Sequence, residues 1–63
     1  MKKFYEVVTK FYDNGMVCAN SFIIYADKMP KSTFENLKHF DIYKDYFTDP
    51  VEAEQYRQNA LNA

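Results

Sequence analysis

A chain of 63 residues with one cysteine and one histidine can form neither an intrachain disulfide nor a four-ligand zinc site of its own, and at this size folding buries only about 60% of the surface that the unfolded chain exposes. Its 48% hydrophobic and 27% charged residues make a folding composition and exclude a disordered chain; six Phe and six Tyr supply bulk, each ring able to bury on the order of 150–250 Å². A formal charge of −1 argues against a bulk electrostatic grip on nucleic acid or on an anionic membrane.

The first element is a hairpin. Residues 4–12 and 16–26 are aromatic and β-branched runs separated by Asp13-Asn14-Gly15, and Asn-Gly offers the positive φ angles of a two-residue type I′ turn. Such a turn sets Asp13 opposite Met16, so that opposed residues sum to 29. Tyr5, Val7, Thr9 and Phe11 then share a face with Ile24, Phe22, Asn20 and Cys18, and Phe4, Val8 and Tyr12 share the other with Tyr25, Ser21 and Val17, with Ile23 opposite Glu6. Apolar groups on both faces mean that one face needs a cover from outside the hairpin.

Asp27-Lys28-Met29-Pro30 ends the second strand. Ser32-Thr33-Phe34-Glu35 reads as a capping box opening a short helix to about His39, with Phe34 and Leu37 on one face; an additional strand over residues 32–40 is the rival reading. Residues 41–47 fit a third strand with apolar groups on both sides. Asp49 as N-cap, Pro50 at the first helical position and Glu52 as the capping-box partner mark a final helix to about Leu61. Its stripe of Ala53, Tyr56 and Ala60, bordered by Leu61, can cover one sheet face and not two. The expected fold is a single α+β domain over residues 1–63 of order ββαβα. In it the N-terminal hairpin belongs to a three-stranded antiparallel sheet, strand 41–47 lies beside the first strand, and the C-terminal helix covers one face.

Charge divides along the chain. Residues 41–63 hold Lys44 and Arg57 against Asp41, Asp45, Asp49, Glu52 and Glu54, a balance of −3, while residues 1–40 balance at +2. No stretch has the length of a transmembrane helix, and Met1-Lys2-Lys3 runs into Phe4-Tyr5-Glu6 rather than an apolar signal core, so a cytoplasmic protein without membrane contact is expected. A free Cys18 agrees with a reducing compartment.

The sequence holds no pattern that assigns catalysis. His39 has no serine, cysteine or second histidine in a nucleophile arrangement, and Cys18 lacks a Cys-X-X-Cys partner and reads as a small core residue. Asp41, Asp45 and Asp49 lack the glycine and terminal glutamate of an EF-hand, and Gly15, the sole glycine, rules out glycine-rich phosphate loops. Catalytic, cofactor and metal residues are therefore expected to be none. Two candidate interaction surfaces stand instead: a self-association face of Phe4, Val8, Tyr12, Val17, Ile23 and Tyr25, which serves as a homodimer core or as a partner-binding surface, and an acidic strand-and-helix edge of Asp41, Asp45, Glu52 and Glu54, which faces another protein or is simply a solvated face. An aromatic sheet face stacking on single-stranded nucleic acid and a purely structural homo-oligomer are the alternatives.

The segments Lys3-Phe4-Tyr5-Glu6-Val7-Val8, Phe11-Tyr12-Asp13-Asn14-Gly15 and Ile42-Tyr43-Lys44-Asp45-Tyr46-Phe47-Thr48-Asp49-Pro50-Val51-Glu52-Ala53-Glu54 resemble the small accessory proteins of phage and prophage genomes. That resemblance implies a non-enzymatic inhibitor, acting in a host cytoplasm by occupying the surface of host machinery, bacterial immune effectors included.

Overall fold

The computed structural model describes residues 1–62 and holds five elements: β1 (Lys2–Tyr12), β2 (Val17–Ala26), β3 (Thr33–Asn36), β4 (Phe40–Phe47) and α1 (Pro50–Leu61). The strands form one antiparallel sheet in the order β2-β1-β4-β3. The fold is α+β, and strand 40–47 lies antiparallel beside β1 as the sequence suggests, but the sheet has four strands instead of three and the middle helix is absent.

Residues 33–36 pair with β4 because a helix of eight residues with two apolar side chains has too little to bury, whereas β4 offers a row of unpaired backbone groups. In that position Phe34 stacks on Tyr43 with ring centroids 4.7 Å apart, the Asn36 amide donates to Asp41 Oδ1 at 2.6 Å, and the Leu37 N–H donates to the Phe40 carbonyl at 2.9 Å. The six residues 27–32 carry the chain from one edge of the sheet to the other, across β1 and β4.

The hairpin register is corrected by one residue. Opposed pairs sum to 28, from Lys2 with Ala26 to Phe11 with Val17, and the loop has three residues, not two. Within the loop only Gly15 has a positive φ, +88°, where a type I′ turn requires a positive φ at Asn14 as well. Gly15 N–H donates to the Tyr12 carbonyl at 3.0 Å and Tyr12 N–H to the Met16 carbonyl at 2.9 Å, so Gly15 and Met16 together oppose Tyr12 in a glycine bulge. Asn14 Oδ1 accepts the Met16 N–H at 3.0 Å, which occupies the amide that the bulge leaves over.

The slip re-sorts β2. Val17, Ala19, Ser21, Ile23 and Tyr25 share the helix side with Tyr5, Val7, Thr9 and Phe11, while Cys18, Asn20, Phe22 and Ile24 share the helix-free side with Phe4, Glu6, Val8, Lys10 and Tyr12.

Helix α1 starts where the sequence places it. The Asp49 carboxylate caps it by accepting the Val51 N–H at 3.0 Å, rather than the Glu52 amide that a capping box would use. The helix lies on one face, against β2, β1 and β4. Ala53 is buried, the Tyr56 ring sits 5.3 Å from that of Phe47, and the Tyr56 hydroxyl donates to Asp45 Oδ2 at 2.8 Å. The core is correspondingly small: Phe4, Val7, Ala19 and Ala53 are its buried apolar residues, with Thr9 beside them at 1% exposure and its hydroxyl without a partner. Phe4 is buried on the helix-free side, at the end of the sheet that residues 27–32 cross. The accessible surface is 4685 Å², against about 4,250 Å² for a compact monomer of this mass.

Candidate functional site

Among the described residues no helix or strand covers the second sheet face, which is buried only at its Phe4 end, and strand register decides what that face displays. Across β1 and β4 it presents Glu6, Val8, Lys10 and Tyr12 opposite Tyr46, Lys44, Ile42 and Phe40, and β2 adds Cys18, Asn20, Phe22 and Ile24. Tyr12 and Phe40 stack at 5.2 Å with Lys10 Nζ 5.7 Å from the Phe40 ring, a cation–π placement. Tyr46 donates its hydroxyl to Glu6 Oε2 at 2.8 Å; burial first, and then this bond to a carboxylate, push its phenol up to about 12. Phe22 stands half out of the surface, 52% exposed.

The acidic residues of β4 go the other way. Asp41 and Asp45 alternate onto the helix side, where Asn36 and Tyr56 hold them. Burial and the Asp45 bond raise the Tyr56 phenol. Glu54 is held by Arg57 within the helix, Nε to Oε1 at 2.9 Å, and the guanidinium keeps its carboxyl below the usual range. Only Glu52 of the expected set is exposed with no bonded partner among the described residues. Asp41, Asp45, Glu52 and Glu54 therefore do not line an edge: β4 is an inner strand, and three of the four carboxylates are engaged within the chain.

The expected self-association face is divided in the same way. Val8 and Tyr12 lie on the helix-free side and Phe4 is buried there, but Val17, Ile23 and Tyr25 turn to the helix side, because the bulge shifts β2 by one residue against β1. Cys18, expected in the core, is a half-buried free thiol opposite Lys10 on the helix-free face. His39 lines a shallow cleft of about 230 Å³ with Tyr12, Asp13 and Asn14 at the hairpin end, where its carbonyl accepts the Asp13 N–H at 3.1 Å. Among the described residues no three His, Cys, Asp or Glu side chains gather as metal donors, and no helix is long and apolar enough to cross a membrane.

No family model, curated protein or solved structure matches this chain. The surfaces themselves thus carry the functional reading. Sequence reasoning missed Phe22, Phe40 and Ile42 as face residues; for Phe22 the missing signal was the turn type, since Asn-Gly serves a glycine bulge as well as a two-residue turn.

Proposed function

We propose that this protein is a non-enzymatic protein-binding module that acts stoichiometrically, as an inhibitor does, by laying the helix-free face of its sheet on a partner protein. The observation that supports this is the absence of any covering element, among the described residues, over a face carrying Val8, Tyr12, Phe22, Phe40 and Ile42. Aromatic anchors with a polar rim are the composition of a binding patch, and Glu6, Lys10, Asn20 and Lys44 supply the polar groups. A photo-crosslinking residue at Tyr12 or Phe22 should capture the same protein from a host lysate, and the same residue at Gln55 on the helix should not. That protein, purified, should bind the wild type one to one and lose affinity for Phe22→Asp. Equal capture from all three positions refutes the reading.

The second reading, single-stranded nucleic acid on the same face, has one observation in its favour: with Asp41 and Asp45 turned to the helix side, Lys10 and Lys44 stand among Tyr12, Phe40 and Tyr46. Rings and cations on one sheet face are what base stacking with phosphate contact requires. Salt-dependent binding of an oligothymidylate by the wild type, abolished by Lys10→Glu with Lys44→Glu, would favour it over the protein contact.

A further inference from the structure

The outer edge of β2 is unguarded over half its length. Val17–Ala26 contains no charged residue, proline or glycine, and lysines, prolines and bulges are the devices by which edge strands refuse a neighbour. The other edge, β3, has only four residues and is protected by its shortness. Backbone bonding in the hairpin starts at Tyr12 with Met16 and recurs at every second pair. The even-numbered residues of β2 therefore turn their N–H and C=O groups to β1, and Val17, Ala19, Ser21, Ile23 and Tyr25 turn theirs outward. Arg57 Nη1 donates to the Ala19 carbonyl at 3.4 Å, so the helix engages one outward acceptor in the first half of the edge. Ser21, Ile23 and Tyr25 remain open, Ile23 at 57% and Tyr25 at 63% exposure.

We propose that this free half-edge pairs antiparallel with the same segment of a second copy, about a two-fold axis at Ile23, joining two sheets into one. A two-fold pair closes on itself and uses identical residues on both sides. In this register Ser21 bonds the partner's Tyr25 and Ile23 bonds the partner's Ile23, each reciprocally, and the Ala19 carbonyl is not needed. Axes at Ser21 or Phe22 would require that carbonyl, which Arg57 holds, and an axis at Ile24 would set Ser21 against the partner's Asp27 beyond the strand end. No like charges meet, because the strand has none. Phe22 packs beside the partner's Ile24 on the helix-free side, extending that face across the axis. The exposed parts of Phe22, Ile23 and Tyr25 with the strand edge set an upper bound on the order of 500 Å² per copy, the low end for a specific interface, where weak and transient association is found.

Sedimentation equilibrium from about 5 to 500 µM, a range that brackets such an affinity, should show the mass rise from 7.5 kDa to twice that value. Ile23→Lys sets like charges face to face at the axis and should hold the protein at the monomer mass, with its circular dichroism unchanged. In a Cys18→Ser background, Ile23→Cys should form an intermolecular disulfide at least about tenfold faster than Ser21→Cys, because only a residue on the axis meets its own copy at a Cα separation near 5.5 Å. A wild type that stays at 7.5 kDa throughout, a dimer that survives Ile23→Lys, or equal crosslinking at the two positions overturns the proposal. Growth to ever larger species overturns it as well, since β2 would then be pairing with β3 of the next copy in an open chain.

Discussion

Replacing Thr9 with valine should stabilise the protein, although most core substitutions do the opposite. Thr9 lies in β1 between Ala19 and Tyr43, is 1% exposed, and its hydroxyl has no hydrogen-bond partner. Burying a hydroxyl without compensation costs about 1–3 kcal/mol on the protein mutational scale. Valine keeps the branched shape and puts a methyl where the hydroxyl was, so it relieves that cost and adds apolar contact. A gain of about 1–2 kcal/mol follows, and with a urea m-value near 1 kcal/mol/M for a small domain the unfolding midpoint should rise by about 1–2 M. Thr9→Ser makes the opposite change, retaining the hydroxyl and losing the methyl, and should lower the midpoint by about 1 M. Urea melts of the three proteins, with m-values compared to confirm that the unfolded states match, give the answer directly. If Thr9→Val is the less stable of the pair, the hydroxyl has a partner and the packing of α1 over β1 is wrong.

At Gly15 no atom lies within 4 Å of where a Cβ would stand, so the cost of a side chain is backbone conformation alone: Gly15→Val should destabilise by about 1–3 kcal/mol and Gly15→Asn by less, and equal urea midpoints for the two would rule out the bulge. Asp49→Ala removes the acceptor of the Val51 N–H and should cost about 1 kcal/mol in thermal or urea unfolding, while Asp49→Asn should recover most of it. Tyr46, raised to about 12 by burial and by the Glu6 hydrogen bond, ionises near 10 in the unfolded chain; its contribution is intact below pH 10 and is lost as pH rises through 12, because the unfolded state gives up its proton first. The side chain is only half-buried, so the effect on stability stays below about 1 kcal/mol, and phenolate absorbance is the better readout: Tyr46→Phe should delete the latest step of the titration and Glu6→Gln should move it down, with unchanged curves refuting the contact.

The hairpin and the Asp49-Pro50 helix start were legible because turn residues, caps and alternation are local signals, and the placement of strand 41–47 beside β1 followed from the preferred hand of crossover connections. The register was not, since Asn14-Gly15 is compatible with two loop lengths that differ by one residue, and one residue reverses which face of β2 meets which face of β1. Residues 32–40 carry a capping-box motif that favours a helix locally; the open edge of β4 outweighs it, a non-local effect that no window of the sequence contains. The acidic residues read as a surface because acid is concentrated in residues 41–63, but strand alternation turns Asp41 and Asp45 toward Asn36 and Tyr56, partners that only the fold brings near.

The open edge of β2 is the feature on which the arrangement of surfaces rests, and residue-resolved amide hydrogen exchange reads it directly. In dilute solution the Phe22 and Ile24 amides, bonded to β1, should exchange slowly while those of Ser21, Ile23 and Tyr25 exchange as free amides do, and the latter three should gain protection as the concentration is raised. Slow exchange of Ser21, Ile23 and Tyr25 at every dilution would mean that another part of the chain already covers this edge, contradicting the strand order β2-β1-β4-β3.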